Sequence, residues 1–363
     1  MENEAPIQSG RSKDVVKRHR PDEVVRLERN GKTYFQFFCK NDIVLRLHVL
    51  TDTIIRFRYA FDGDFEKDFS YAIDKKKFKV EAVDAYFDED IDKFIITTDK
   101  LRCEVLKKGL LVNIYDAFGN AICEDDTGFY MKESVMKGVS RLKITKKSPA
   151  TKRYFGLGDK PGKMQMRGDA YENWNTDSFG YDSEADTLYR SIPFYYALNE
   201  GRAYGIFLDN SYRTRFSYDR QDNGVSSFEA RGGEMNYYFI YGPELLRVSE
   251  QYMNLTGKAE LPAMWTLGYH QCRWSYFPED VVRGLADKFI EHKIPCDAIY
   301  FDIDYMDGYR CFTWDKNHFP NPKQLIADLK KDGFKSVVMI DPGIRVDKAY
   351  HVYQDGIKNN VFC

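Results

Sequence analysis

The stretch Ala298-Ile299-Tyr300-Phe301-Asp302-Ile303-Asp304 decides the fold of the C-terminal part of the chain. Its first four residues are apolar or aromatic without alternation, which is typical of a parallel strand covered on both faces. The acidic residues follow directly, at the carboxyl end of the strand. Open α/β sheets and (β/α) barrels both carry their functional side chains at this end. The stretch therefore predicts a buried strand over residues 298–303 that leads into a site.

Comparable strand and helix patterns lie on both sides of this stretch. Thr266–Cys272 is predicted as the preceding strand, followed by a helix after Pro278. The central strand is followed by a helix with Asn321 as its cap and Pro322 at its first position. Ser336–Ile340 is predicted as the third strand, with a weaker helix after it. Three such units suit an open doubly wound sheet and a barrel equally, so the local pattern leaves both open.

The preceding part of the chain has a different pattern, in which short apolar or alternating runs are separated by Gly, Asn and Asp. For example, Phe194–Leu198 is expected to pair with Ala203–Leu208 across a short turn. Many strands at this spacing predict an antiparallel β-sandwich. Near its end the period becomes helical, and Pro243 is predicted as the first residue of a helix that ends near Gly257.

Composition and charge exclude several classes of protein. The 363 residues include 54 Lys and Arg against 56 Asp and Glu, so no overall field attracts nucleic acid or an anionic membrane surface. We find neither a secretory signal nor an apolar run long enough to span a membrane. The seven cysteines are scattered and lack zinc-site spacing, which argues against both a disulfide framework and a metal site. We expect a cytoplasmic protein.

Asp302 and Asp304 share a face of the strand for as long as it stays extended. Such a pair suggests the acid and nucleophile of a glycosidase, an Asp-x-Asp metal site, or one sugar-binding Asp beside a structural one. The catalytic carboxyls of a retaining glycosidase lie about 5–5.5 Å apart on opposite sides of the scissile bond. A metal site needs further hard oxygen ligands. We favour the third interpretation, with a capping or turn role as the alternative for each residue.

Two segments of the β-rich part also need an interpretation. Gly156–Gly162 is one residue too long for a dinucleotide loop and no helix follows it, so we predict a turn within the β domain. Tyr171–Tyr181 combines aromatic rings with Asn and Asp side chains. This composition suits contact with a sugar and suits a plain surface loop equally.

Several stretches together resemble glycoside hydrolase family 31, the α-glucosidase and α-xylosidase family. The similarity runs in family order from about residue 155 to 345, and more weakly back to about residue 25. The matching stretches are Phe155-Gly156-Leu157-Gly158, Trp174-Asn175-Thr176-Asp177, Ser191-Ile192-Pro193-Phe194, Gly205-Ile206-Phe207-Leu208-Asp209-Asn210, Leu267-Gly268-Tyr269-His270-Gln271-Cys272-Arg273-Trp274, Asp302-Ile303-Asp304-Tyr305-Met306-Asp307 and Ile340-Asp341-Pro342-Gly343-Ile344.

The resemblance implies a galactose-mutarotase-like β-sandwich followed by the first three β/α units of an incomplete (β/α)8 TIM barrel. We expect a flexible basic arm over residues 1–20, a sandwich domain ending in a linker helix over residues 21–260, and a truncated barrel over residues 261–363. A complete barrel takes about 250 residues. An incomplete one leaves an unpaired strand edge and uncovered apolar surface, so we expect aggregation or dependence on a partner.

The resemblance also implies site residues. Asp177 is expected on the loop by which the sandwich domain reaches into the sugar site. Asp302 is expected to bind hydroxyls of the non-reducing-end sugar, and Ile303 and Ile344 to line the pocket. Asp304 is expected to support the rim, as is Asp341.

No catalytic carboxylate of the family is expected within the chain. The family's nucleophile lies in a Trp-x-Asp-Met-Asn-Glu-like motif, which this sequence lacks, so the nucleophile and the acid/base are expected beyond Cys363. The expected activity of the parent enzyme is retaining hydrolysis of an α-linked oligosaccharide or α-glucoside, without metal or organic cofactor. The alternatives are an α-xylosidase, sulfoquinovosidase or transglucosylase of the same family, and a non-catalytic carbohydrate-binding module. The oligomeric state is not indicated.

Overall fold

The computed structural model describes residues 16–73, 78, 83–134 and 139–362. The chain divides into two compact units, unit 1 up to Lys258 and unit 2 from Ala259. Residues 1–15 of the expected basic arm lie outside the described residues. Val16–His19, at the end of that arm, form a strand instead of a free segment, because they pair antiparallel with residues 131–134.

Unit 1 consists of β-strands followed by one helix. Its strands within the described residues are β1 (Val16–His19), β2 (Val24–Asn30), β3 (Tyr34–Cys39), β4 (Val44–Val49), β5 (Ile54–Ala60), β6 (Tyr86–Glu89), β7 (Lys93–Thr97), β8 (Leu101–Leu106), β9 (Val112–Asp116), β10 (Ala121–Ser134), β11 (Val139–Lys147), β12 (Arg153–Gly158), β13 (Ala170–Asn173), β14 (Ser191–Asn199), β15 (Arg202–Leu208), β16 (Thr214–Tyr218), β17 (Val225–Ala230) and β18 (Met235–Tyr241).

These strands form two antiparallel sheets with a common core. The larger sheet has ten strands in the order β13-β16-β17-β11-β10-β9-β8-β7-β6, with β1 added beside β10. The smaller has eight, in the order β12-β14-β15-β18-β5-β4-β3-β2. Rings from the two sheets stack in the core, since Tyr59 on β5 lies 4.5 Å from Phe129 on β10 between ring centroids. The predicted antiparallel sandwich is confirmed.

The predicted hairpin of β14 and β15 shows how local chemistry sets the register. Asn199 pairs with Arg202, so the turn has two central residues, Glu200 and Gly201, with φ of 51° and 76°. Positive φ at both positions is the turn geometry that matches the right-handed twist of paired strands. The hairpin is therefore a two-residue type I′ connection, as its sequence suggests.

The glycine-rich stretch from Gly156 does not begin as the predicted turn. Gly156, Leu157 and Gly158 end strand β12 and have φ of 130°, 69° and 85°. A β-carbon on Gly156 would lie 2.6 Å from the carbonyl oxygen of Phe194 on the neighbouring strand. These glycines thus allow close approach of two strands, a contact that the local sequence does not reveal.

Helix α1 (Leu245–Thr256) covers the outer face of the eight-stranded sheet. Val248 and Leu255 are buried there against residues of β14, β15 and β18 such as Phe194. Pro243 was predicted at the first helical position, which is wrong. Glu244 follows it with an extended backbone (φ −90°, ψ 146°), and the helix begins only at the next residue.

Unit 2 is built from strands that alternate with helices. In chain order, its described elements are a 3₁₀ helix (Met264–Leu267), β19 (His270–Gln271), α2 (Glu279–Glu291), β20 (Ala298–Phe301), two 3₁₀ helices (Ile303–Tyr305 and Asp307–Tyr309), α3 (Pro322–Lys331), β21 (Lys335–Val338) and α4 (His351–Asn359). The three strands are parallel and lie in the order β19-β20-β21. Three successive β/α units are therefore present.

Helix α3 agrees with its sequence signals. The side chain of Asn321 accepts a hydrogen bond from the backbone N–H of Gln324 at 3.2 Å, and Pro322 is the first helical residue. Leu325 and Leu329 are buried. In α2, Val282 and Ala286 face the core, whereas the side chain of Val281 is 39% exposed. The weaker helix expected after the third strand is α4, which begins at His351.

The first strand of unit 2 is much shorter than predicted. Residues 264–267 form a 3₁₀ turn that includes the first two residues of the expected strand, and in this turn the hydroxyl of Thr266 donates to the carbonyl oxygen of Ala263 at 2.7 Å. A threonine that bonds to nearby backbone in this way competes with sheet pairing. Across the described residues, none of the helices is long and apolar enough to cross a membrane.

Candidate functional site

The carboxyl edge of the three-stranded sheet holds the residues that the sequence singles out in unit 2. Strand β20 ends at Phe301, and Asp302 follows with φ −78° and ψ 173°. Its Oδ1 accepts a hydrogen bond from the N–H of Ile303 at 2.7 Å and caps the 3₁₀ turn that starts there. The prediction that Asp302 and Asp304 share a face of an extended strand is therefore wrong, because the strand ends before both of them.

Protein donors occupy the carboxylate of Asp304. It accepts hydrogen bonds from the hydroxyl of Ser275, on the segment after β19, and from the phenol of Tyr309 at 3.1 Å. These bonds join the loop after β19 to the loop after β20. The hydrogen bond to Asp304 also raises the pKa of Tyr309, because it favours the protonated phenol. The position suits support of the edge.

Asp302 keeps one carboxylate oxygen open. No described residue donates a hydrogen bond to its Oδ2, and the residue is only partly buried. Cys272, the residue directly after strand β19, lies close to it. Burial, and then the negative charge of Asp302, raise the pKa of the Cys272 thiol. Asp302 thus follows the end of β20 with one carboxylate oxygen that no described residue uses.

The loop after β21 completes this edge. The N–H of Met339 donates to the carbonyl oxygen of Phe301 at 2.9 Å, and the phenol of Tyr305 donates to the carbonyl oxygen of Met339 at 2.9 Å. Further along, Ile344 packs partly buried against the core of unit 2, as does Ile303. Asp302, Ile303 and Ile344 therefore belong to neighbouring loops at one end of the sheet.

Asp177 belongs to unit 1 and lies in the loop between β13 and β14. Its side chain is exposed, and no hydrogen bond to it occurs within the described residues. The loop itself is ordered by backbone contacts, such as the bond from Thr176 N–H to Leu188 O at 2.8 Å. Trp174 in the same loop is 49% exposed. The loop therefore presents an aromatic ring and a carboxylate to the surroundings.

A metal site at the Asp pair would need further ligands. Within the part of the chain that the structure describes, no group of three or more His, Cys, Asp or Glu side chains is placed to hold a metal ion. Asp302 caps a turn and Asp304 is bound by two hydroxyl groups. The edge is thus a set of hydrogen-bonding groups over a partly apolar wall.

Sequence reasoning did not predict a groove in unit 1, which we name the sandwich groove. It has a volume of about 660 Å³ and lies beside helix α1, over strands β5 and β18. Its polar lining includes Arg56, Asp68, Asn173, Asp209 and Asn236. The only local signal is the alternation of Arg56 and Arg58 with apolar residues in β5, which places two charges on the face away from the core.

Comparison with family models gives two matches along the chain. Residues 44–217 match the N-terminal galactose mutarotase-like domain of glycosyl hydrolase 31, and residues 259–363 match the TIM-barrel domain of glycosyl hydrolases family 31. The second match selects the barrel over the open sheet, which the local strand pattern left undecided.

Curated relatives point the same way. The chain is 38% identical to alpha-glucosidase 2 of Bacillus thermoamyloliquefaciens over 330 residues, which cover 91% of the chain and 41% of that relative. It is 32% identical to an alpha-glucosidase of Saccharolobus solfataricus, covering 63% of the chain and 33% of the relative. The chain thus spans about two fifths or less of the length of these relatives.

Solved structures share the fold of both units. A family 31 dextranase of Flavobacterium johnsoniae in complex with isomaltotriose has a TM-score of 0.83 and 32% identity, over 94% of this chain and 40% of that one. A glucosidase II alpha subunit has a TM-score of 0.79 at 20% identity, over 94% of this chain and 45% of that one. The second likeness concerns the fold alone.

Proposed function

Because the chain belongs to glycoside hydrolase family 31, we propose that it forms the sugar-facing part of an α-glucosidase-type enzyme. The proposed enzyme releases glucose from the non-reducing ends of α-linked oligosaccharides, with retention at the anomeric carbon. The observation that carries the proposal is the match of 330 residues, at 38% identity, to a relative named alpha-glucosidase. The isomaltotriose bound to the dextranase supports an α-linked glucan as the class of substrate.

Asp302 is the proposed sugar-binding group of unit 2. Its Oδ1 is used by the N–H of Ile303, which fixes the orientation of the carboxylate. Its other oxygen has no described partner and can accept a hydrogen bond from a sugar hydroxyl, a charge-assisted bond that is stronger than a neutral one. Ile303 and Ile344 supply apolar surface beside it. Asp177, in unit 1, is proposed as a further substrate-binding residue from the family resemblance.

Bond cleavage needs two further carboxyl groups. A retaining enzyme places an acid/base and a nucleophile about 5–5.5 Å apart, on the two sides of the scissile bond. Asp302 and Asp304 follow the same strand, and Asp304 is held by Ser275 and Tyr309. A (β/α)8 barrel draws catalytic residues from the ends of several different strands. We therefore place the nucleophile and the acid/base in barrel strands outside these 363 residues.

Turnover of an aryl α-glucoside tests the proposal. The 363-residue chain is expected to show none, and the same chain continued by the downstream reading frame is expected to release the aryl alcohol. In that longer protein, Asp302→Asn is expected to lower kcat/KM by about 10- to 100-fold, because it removes a charged hydrogen-bond acceptor. Asp332→Asn, at the end of α3, is the control and should leave kcat/KM unchanged. Turnover by the 363-residue chain alone would contradict the placement of the catalytic carboxyls.

The same assay separates the related activities. Assays with an aryl α-xyloside and an aryl sulfoquinovoside show whether the enzyme prefers one of these sugars to glucose. Chromatographic analysis of the products shows whether the enzyme transfers glucose to another sugar instead of to water. If the longer protein hydrolyses none of these substrates, the result contradicts an enzymatic role. Saturable sugar binding without turnover would then favour the binding module.

A cytoplasmic location is part of the proposal. The cysteines among the described residues are free thiols, four of them buried, and free thiols persist in a reducing compartment. Recovery of the protein from the secreted fraction of its source cells would contradict this location.

A further inference from the structure

The sandwich groove has polar side chains on its floor that are held in fixed positions. Arg56 donates to both carboxylate oxygens of Asp68, at 2.7 and 3.2 Å, and its Nε donates to Asn236 Oδ1 at 3.0 Å. Beside it, Nε of Arg58 donates to the carboxylate of Glu234 at 2.7 Å. Two-point pairing of this kind fixes the planes of the side chains. The floor is therefore rigid before any ligand arrives.

Asp209 extends this network along the groove. One oxygen accepts the hydroxyl of Ser70 at 2.8 Å, and the other accepts the amide of Asn236 at 3.3 Å. Burial raises the pKa of Asp209, and the hydrogen bonds from its neighbours only partly offset this effect. The carboxylate is thus a positioned acceptor on one wall of the groove.

Two groove residues have polar atoms without a partner. Asn173 is 4% exposed, and neither its amide oxygen nor its amide nitrogen has a hydrogen-bond partner among the described residues. The Oε1 atom of Glu234 is in the same situation, on a side chain that is 10% exposed. An unsatisfied buried polar group carries a free-energy cost. A polar ligand in the groove would remove that cost.

The rim of the groove carries exposed aromatic rings. Trp174 and Tyr212 are 49% and 55% exposed, and Phe69 and Tyr71 on the facing segment are 59% and 86% exposed. Phe69 and Tyr71 also contact each other edge to face, with ring centroids 4.8 Å apart. Rings above a floor of carboxylates, amides and guanidinium groups form an amphipathic lining. Such a lining matches a molecule with apolar C–H faces and many hydroxyl groups.

The charges that line the groove are nearly balanced. Arg56, Arg58 and Lys67 oppose Glu66, Asp68, Asp209 and Glu234. Because neither sign dominates, the groove offers no strong attraction to an anion or a cation. Its volume of about 660 Å³ lies within the range of about 300–1,000 Å³ that is typical of small-molecule sites. These features favour an uncharged, hydroxyl-rich ligand.

We propose that the sandwich groove is a second carbohydrate-binding site, which takes a short neutral oligosaccharide independently of the barrel edge. The sugar rings lie against Trp174 and Tyr212, and the hydroxyls bond to Asn173, Asp209 and Asn236. The choice of an α-glucan as the first probe rests on the proposed function. The groove itself lies within unit 1 and needs no catalytic residue.

Calorimetric titration of the 363-residue chain tests this site, with maltotriose, isomaltotriose and the β-linked cellotriose as probes. We expect saturable binding of at least one trisaccharide. Trp174→Ala should weaken that binding at least tenfold, because it removes the ring on the rim. Phe118→Ala, which replaces a 92% exposed ring outside the groove, is the matched control and should leave the dissociation constant unchanged.

Two further variants distinguish binding in the sandwich groove from binding at the barrel edge. Asn173→Leu keeps the side-chain volume and removes the unpaired polar atoms, so it should weaken binding while the melting temperature stays the same or rises. Asp302→Asn removes only what the barrel edge contributes to binding, so trisaccharide binding in the sandwich groove should persist in this variant.

Three results would overturn the second site: absence of binding of all three trisaccharides, binding that survives Trp174→Ala, or binding that is lost in Asp302→Asn. None of them bears on the aryl α-glucoside assay of the longer protein, so failure of this site and failure of the proposed enzyme activity are distinguishable.

Discussion

Gly156 shows how one residue without a side chain controls the approach of two strands. Its φ of 130° lies in a region that residues with a β-carbon rarely adopt. A β-carbon added at this position would lie 2.6 Å from the carbonyl oxygen of Phe194. Gly156→Ala is therefore expected to lower the free energy of unfolding by at least ~2 kcal/mol. Urea denaturation of the purified chain measures this change.

Gly284 provides the control for this substitution. It lies inside helix α2, and apart from the adjoining backbone of that helix a β-carbon there would have no atom within 4 Å. Because alanine is the better helix former, Gly284→Ala is expected to raise the free energy of unfolding by ~0.5–1 kcal/mol. Equal effects of the two substitutions would show that backbone geometry does not decide the outcome at Gly156.

At the residue scale, the sequence identifies candidate residues better than it identifies their geometry. Asp302 and Ile303 were predicted at the carboxyl end of a strand, and they lie there. The relation between Asp302 and Asp304 was predicted wrongly, because a single hydrogen bond from Ile303 N–H turns the chain at that point. A short side chain can satisfy backbone groups in several ways, and the flanking sequence does not select among them.

Glu172 links the ends of three strands through its carboxylate. Arg213 Nε donates to it at 2.7 Å, and guanidinium groups of Arg231 and Arg215 lie 3.3 and 3.6 Å away. Burial alone would raise the pKa of Glu172, but the three arginines outweigh it and lower the pKa. The ionised carboxylate therefore stabilises the fold. This stabilisation is complete at pH values above the pKa of the unfolded chain, about 4.3, and it is lost as the pH falls through the lower pKa of the folded chain.

Glu172→Gln is accordingly expected to lower the free energy of unfolding by ~1 kcal/mol at pH 7, a figure reduced for solvent screening of the half-exposed arginines. The difference from the unchanged chain should shrink as the pH falls below about 4.3. Chemical denaturation at a series of pH values measures it. Glu200→Gln in the β14–β15 turn is the control, and a difference that grows at low pH would contradict the sign of the effect.

Elements with local signals are the ones that the sequence predicts. Helix α3 has its cap, its proline and its apolar stripe within a dozen residues, and the β14–β15 hairpin has its turn between its strands. By contrast, β5 pairs with β18, and nothing near either strand identifies the partner. Strand β19 has two residues, and Thr266 of the expected strand bonds to the preceding backbone instead. The competition between a local turn and pairing in the sheet depends on small free-energy differences, which the pattern of apolar residues does not reveal.

Unit 2 exposes apolar side chains along its parallel sheet, and this exposure affects how the whole chain behaves in solution. In the described residues β21 pairs only with β20, and Val338 and Ile340 are 40% and 43% exposed. An unpaired strand edge with apolar neighbours is a surface for association. We expect the 363-residue chain to associate in solution, and light scattering coupled to size exclusion measures this.

Charged residues on this edge should reduce the association. The double variant Val338→Lys, Ile340→Lys places charge where a further strand would pair, so its mean mass should fall towards that of a monomer. A monodisperse monomer for the unchanged chain would contradict the expectation.

At the scale of the molecule, the sequence predicts the architecture but not the sandwich groove. The order of strand patterns and family-like motifs is enough for a sandwich followed by β/α units. The groove, however, is assembled from Arg56, Asn173, Asp209 and Asn236, which are far apart in the chain. Only the folded sheet brings them together, so no local pattern could have grouped them.

The pairing of β5 with β18 has a consequence for synthesis on the ribosome. Arg56 on β5 and its partner Asn236 on β18 are 180 residues apart. At a rate of about 5–20 residues per second, roughly 10 to 35 seconds pass between the emergence of the two strands. During that interval β5 has only β4 beside it, and the nascent sheet must be kept from pairing with other chains on the same polysome until β18 arrives.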